Sequence, residues 1–180
     1  SIYTTSTGHK NDVLEVAGLM REGDLVDIID ESGAVDVVFT SHDHNYERTK
    51  NIKGYRSKPV GDLQEAEYYK LDNAYAEQGS GRFGQATQGK GTIFVTTAGA
   101  GGQNRDLYPI AEVGDSSWLA FRKNDPDKAE SAATHPVFHY MRIDVTPDYL
   151  YIQAIEKDVG HLHGWEGADD GANRAIDSIM

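Results

Sequence analysis

The sequence predicts an α/β fold, and three observations carry that prediction. Helical periodicity over residues 12–32 runs directly into an apolar, β-branched stretch at 35–39, a second such stretch occupies 92–97, and strict alternation over 137–155 marks a hairpin. Helix followed by strand is the α/β signature. At 180 residues the chain has the length of one domain.

Within 12–32, Val13, Leu14, Val16, Ala17 and Met20, then Leu25, Ile28 and Ile29, recur at three- and four-residue spacing, and Gly23 divides the run in two. Asn11 and Asp12 suit the N-cap because their side chains accept from free backbone amides, and Gly33 suits the C-terminal stop. Val35, Val37, Val38 and Phe39 then read as a buried strand. Thr40 to Arg48 is polar and reads as a loop leaving the strand's carboxyl end, the side on which open α/β sheets bind ligands.

From 50 to 90 the composition is polar and Gly-rich, which predicts a surface excursion with one short helical piece at 64–70. Residues 92–97 form a strand ended by the small residues of 98–102, and irregular chain follows to about residue 135. The hairpin turns at Thr146, Pro147 and Asp148. Val137, His139, Met141, Ile143 and Val145 share one of its faces, and Phe138, Tyr140, Arg142 and Asp144 the other. Beyond residue 164 the chain is acidic and Gly-rich, with a final strand at 175–179, and there is no internal repeat.

Composition excludes several functions. With 17 Lys and Arg against 29 Asp and Glu, the net charge of −12 repels nucleic-acid phosphates and anionic membranes, so neither is an expected partner. No apolar run reaches the length of a bilayer span. The absence of Cys removes disulfides, thiolate zinc sites and Cys nucleophiles together, leaving His and carboxylates as the strong metal ligands.

His42 and His44 stand two residues apart at a predicted strand end, with Asp43 between them. Neutral imidazoles are common ligands for Zn, Fe and Mn, so the pair is a candidate metal site, although two polar turn histidines satisfy the same pattern. His161 and His163 repeat the spacing in an acidic, Gly-rich turn and read as solvated loop.

The stretch Val35-Asp36-Val37-Val38-Phe39-Thr40-Ser41-His42-Asp43-His44-Asn45-Tyr46-Glu47-Arg48 resembles the VDVVFxGHxHxYER block of calcineurin-like metallophosphoesterases, the purple acid phosphatase branch in particular. Ser1 to His9 is similar to the family stretch that follows a metal-binding His, and Gly91 to Gly102 to its GTVYVTxGxGG strand and loop. The resemblance implies part of an αββα sandwich, mixed sheets flanked by helices, with the N-terminal half absent from this sequence. It also implies two metal ions, drawn from Fe, Zn or Mn, about 3.5–4 Å apart around a phosphate ester substrate. By that resemblance His42 and His44 ligate different metals, and His9 contacts the phosphate or protonates the leaving oxygen. The family's branch is often secreted or periplasmic.

Two departures stand out. Ser41 replaces the family's usual Gly, a source of strain if the turn needs a positive φ. The family's remaining ligand blocks, Asp-x-His, Gly-Asp-x-x-Asp and Gly-Asn-His, are missing from the 180 residues. The expectation is therefore a C-terminal portion of a metallophosphoesterase domain, inactive alone, whose partner is the missing half. The rival readings are an amidohydrolase-type metal enzyme using the same pair and a non-catalytic binding fragment.

Other residues keep two readings each. Glu47 and Arg48 either orient the site or form a surface ion pair, and residues 99–102 either cradle phosphate or simply turn. Tyr108, Trp118 and Phe121 either border a cleft or anchor a loop. His139, on the hairpin's apolar face, is expected in the core.

Overall fold

The computed structural model describes residues 3, 5–6, 25–53, 76–78, 83–85, 91–98, 107, 109, 119–123, 138–156 and 174–179. Helix α1 (Leu25–Ser32) buries Val26 and Ile29 and leaves Leu25 and Ile28 exposed, as three-residue spacing requires of a one-faced helix. Ser32 Oγ donates to Ile29 O at 2.8 Å. Gly33 follows at φ +57, the left-handed conformation that ends many helices. A Cβ there would meet nothing within 4 Å, so Gly33 serves the backbone angle and not a space requirement.

Among the described residues, nine strands form two sheets. The first joins β1 (Val37–Thr40), β2 (Tyr46–Thr49), β5 (Ile93–Thr97) and β6 (Leu119–Arg122) in the order β1-β5-β2-β6, with β1 and β5 parallel and the rest antiparallel. The second joins β3 (Ala76–Gln78), β4 (Phe83–Gln85), β7 (His139–Val145), β8 (Leu150–Glu156) and β9 (Arg174–Ile179) in the order β3-β4-β9-β8-β7. Among the described pairings of this sheet, β4–β9 is parallel and the others are antiparallel.

One face of the first sheet meets α1 through a cluster of Tyr3, Val26, Ile29, Ile52 and Phe94. Its other face packs on the second sheet through Tyr46, Ile93, Val95 and Phe121 against Ile152, Ala154 and Ile179. A bulge between Arg48 and Thr49 skips Ala120, so Leu119 and Phe121 of one strand reach opposite clusters.

The fold is mostly strand, in mixed and antiparallel sheets, so the α/β alternation expected from sequence is not shown. The expected helical pieces before residue 25 and at 64–70 lie outside the described residues. Residues 40–48 are not wholly loop, because β2 begins at Tyr46 and is buried along its whole length. Strand β6 likewise falls in chain that read as irregular, and β3 and β4 in the Gly-rich excursion. The hairpin and the final strand lie where alternation put them. Thr146 Oγ1 accepts from Asp148 N at 3.3 Å and Tyr149 N at 3.0 Å, which fixes the hairpin turn. Ile143 and Val145, on the hairpin face that reads as apolar, remain 44% and 76% exposed.

Candidate functional site

The candidate site is the bend between β1 and β2. His42 is exposed and holds φ +85, while His44 is half-buried. Asn45 N donates to Asp43 O at 2.8 Å, making a three-residue turn centred on His44. Asp43, between the histidines, is 1% exposed. The alternation of outward His42, inward Asp43 and intermediate His44 therefore presents both imidazoles from a bend anchored by a buried carboxylate residue.

Ser41 does not hold the positive φ. Among the described non-glycine residues His42 alone does, so the Ser in place of Gly is mild and the strain sits on the histidine itself. A non-glycine residue in this region is uncommon and costs on the order of 1–3 kcal/mol, which the surrounding contacts must offset.

Those contacts are made by β2. Glu47 is 1% exposed and accepts from Asn45 Nδ2 at 2.7 Å, from Thr5 N at 2.9 and 3.0 Å, and from Thr5 Oγ1 at 2.8 Å. Arg122 Nη1 donates to Thr5 Oγ1 at 3.2 Å, and Thr96 Oγ1 to Tyr3 O at 3.0 Å. A single carboxylate thus ties the histidine bend to the segment that leads toward His9. His9 itself, and residues 99–102, 108, 118, 161 and 163, lie outside the described residues.

Strand periodicity sends Arg48 to the opposite face, where it is also 1% exposed. Its Nε and Nη2 bind Asp177 at 2.5 and 3.0 Å, and Tyr46 Oη donates to the same carboxylate at 2.7 Å. The surface ion-pair reading of Glu47 and Arg48 is thereby overturned, as both side chains are buried and face different layers. Burial pushes the Asp177 carboxyl above its ordinary range, opposed by Arg48 and by the Tyr46 hydroxyl. Burial first, and then the Asp177 charge, push the Tyr46 phenol well above its own. His139 is 4% exposed, bonds Thr97 Oγ1 at 2.9 Å and meets the Tyr46 ring edge-on, so it is the core histidine expected. Phe121 is an anchor, buried in the core between the sheets.

Comparison with known protein families, curated proteins and solved structures finds no match to this chain.

Among the described residues no three His, Asp or Glu side chains gather into a group able to hold a metal ion. His42 and His44 do not fit a complete dinuclear centre, which needs about three or more protein ligands per catalytic ion. Sequence reasoning named both histidines but missed Thr5 and Arg122 as supports of the bend. The sequence carried no periodic signal for them, because Tyr46 to Thr49 is a polar run whose burial only the structure shows.

Proposed function

We propose that this chain contributes His42 and His44 as metal ligands, with His9 as a phosphate-contacting or proton-donating residue, to a metal-dependent phosphoesterase. The remaining ligands come from polypeptide outside this sequence, and the isolated chain has little or no turnover. On this reading the mixed sheets and α1 belong to an αββα sandwich. The observation that carries the proposal is the φ of +85 at His42, in a bend at the carboxyl end of a parallel-paired strand. Strain of this kind is retained where a side chain must point in a direction that relaxed backbone does not give. The buried Glu47, bonded to both Asn45 and Thr5, supplies the rigidity such a bend needs.

The test is metal analysis and hydrolysis of a chromogenic phosphate ester. Alone, the chain should bind metal weakly and below one equivalent. Supplemented with a polypeptide carrying the missing ligand blocks, it should hold two ions and turn over. In that complex His42→Ala and His44→Ala should each lower hydrolysis by more than about 100-fold. His42→Gly, which suits the positive φ, should lose activity equally while keeping or raising thermal stability. Undiminished hydrolysis in the alanine variants sinks the metal-site reading, and tight stoichiometric metal in the chain alone points to the amidohydrolase type.

A further inference from the structure

Strand β7 lies at the edge of the second sheet: β8 pairs with one side of it, and among the described residues no strand pairs with the other. Which backbone groups face that outer side follows from the hairpin turn. Thr146 N donates to Tyr149 O at 2.9 Å, so the alternation of an antiparallel ladder turns the N–H and C=O of Asp144 and Arg142 toward β8. Those of Val145, Ile143 and Met141 therefore point outward. An outward row of donors and acceptors is a template for a further strand, and proteins commonly break such edges with a bulge or a proline. Residues 139–145 contain no proline and keep an unbroken register with β8.

The side chains of this edge carry a second signal. Val145, at 76%, is the most exposed large apolar side chain among the described residues, and Ile143 on the same face is 44% exposed. On the opposite face Arg142 Nε and Asp144 Oδ2 form an exposed ion pair along the strand at 3.0 Å. The stretch Met141-Arg142-Ile143-Asp144-Val145 is self-complementary when set antiparallel to itself about Ile143. Met141 then opposes Val145, and Arg142 opposes Asp144, apolar against apolar and cation against anion. A two-fold centred on Arg142 sets Arg against Arg, one centred on Asp144 sets Asp against Asp, and one centred on Met141 leaves both charges without an opposite. Charge thus selects a single register.

We propose that β7 is a self-association surface, on which a second copy of this chain pairs β7 antiparallel to β7 about a two-fold axis at Ile143. Such an isologous pairing joins the second sheets of the two copies into one. The Ile143 pair and the two Met141–Val145 pairs exchange backbone hydrogen bonds and bring Val145 under cover. The two Arg142–Asp144 pairs fall at the non-hydrogen-bonded positions, where facing side chains come closest. Together with the ion pair along each strand, the charges then alternate in sign around the axis. The contact is small and each copy carries a charge of −12, so the dimer is weak and dependent on concentration.

Sedimentation velocity of the full chain over about a hundredfold range of concentration should show a reversible equilibrium of monomer and dimer. Arg142→Asp and Asp144→Arg each set like charges against one another and should each weaken the dimer at least about tenfold. An equimolar mixture of these two variants restores both opposite-charge pairs, and should dimerise as the parent does although neither variant does so alone. The two side chains are 60% and 42% exposed, so both variants should keep the parent's circular dichroism and melting point. Ile143→Cys reads the same contact without touching the charges. The chain has no other Cys, and Cα atoms about 5.5 Å apart across the axis are within reach of a disulfide, so mild oxidation should cross-link this variant. Glu31→Cys, exposed on α1, should not cross-link at the same rate. A chain that stays monomeric, dimerisation unmoved by the charge reversals, a mixture no tighter than its separate components, or equal cross-linking at positions 31 and 143 would each overturn the proposal. Failure here leaves the phosphoesterase assay untouched, because none of these residues belongs to that site.

Discussion

Arg48 shows how much a single buried cation decides. It bonds Asp177 bidentately between the sheets, and Asp177 takes a further bond from Tyr46. Burial still raises the Asp177 pKa despite these partners, so desolvation outweighs attraction at the carboxylate. The sign follows from proton counting. A raised pKa means the folded chain holds the Asp177 proton more tightly than the unfolded chain. Its contribution is therefore full at low pH and is lost as pH rises through the raised folded value. Arg48→Met removes the opposing charge and should raise that pKa further. Urea denaturation of Arg48→Met should show a loss of about 3–5 kcal/mol near neutral pH. The loss should shrink at mildly acidic pH, as Asp177 takes up its proton on the approach to its raised folded value. An equal loss at both values would mean that packing of the long side chain, and not the charge, is what Arg48 provides.

At the scale of elements, Gly91 controls how β5 begins. It holds φ +122, and a Cβ would come 2.7 Å from Ile52 O, on backbone that exchanges hydrogen bonds of 2.8 and 2.9 Å with Thr92. Gly91→Ala combines angular strain with a backbone clash and should cost at least about 2 kcal/mol. In a thermal melt that is a drop of about 4–8 °C for a chain of this size. An unchanged melting point would mean that the Ile52–Thr92 bridge adjusts freely. The elements legible in sequence were those built on apolar periodicity: α1 with its Gly33 stop, β1, β5, the hairpin and β9. Strand β2 was missed because Tyr-Glu-Arg-Thr carries no apolar alternation, and its burial depends on Thr5 and Asp177, over 40 and over 120 residues away. The histidine pair was legible as a motif. Its strain was not, because the Gly-to-Ser departure pointed to position 41 and the backbone resolved it at 42.

For the whole molecule, the question is whether like-charge repulsion or local ion pairing governs the surface. The net charge is −12, and folding concentrates that charge on a smaller envelope than the unfolded chain offers. Against this stand modest exposed or half-buried pairs, Lys123 with Glu156 at 3.6 Å and Arg142 with Asp144 at 3.0 Å. Exposed pairs are worth on the order of 0–1 kcal/mol each, so general repulsion should win. The Arg48–Asp177 pair, buried between the sheets, is shielded from salt and should not shift the balance. The melting temperature should therefore rise by a few degrees between about 20 and about 300 mM sodium chloride, as the Debye length contracts. A fall over that range would show that the surface pairs outweigh repulsion.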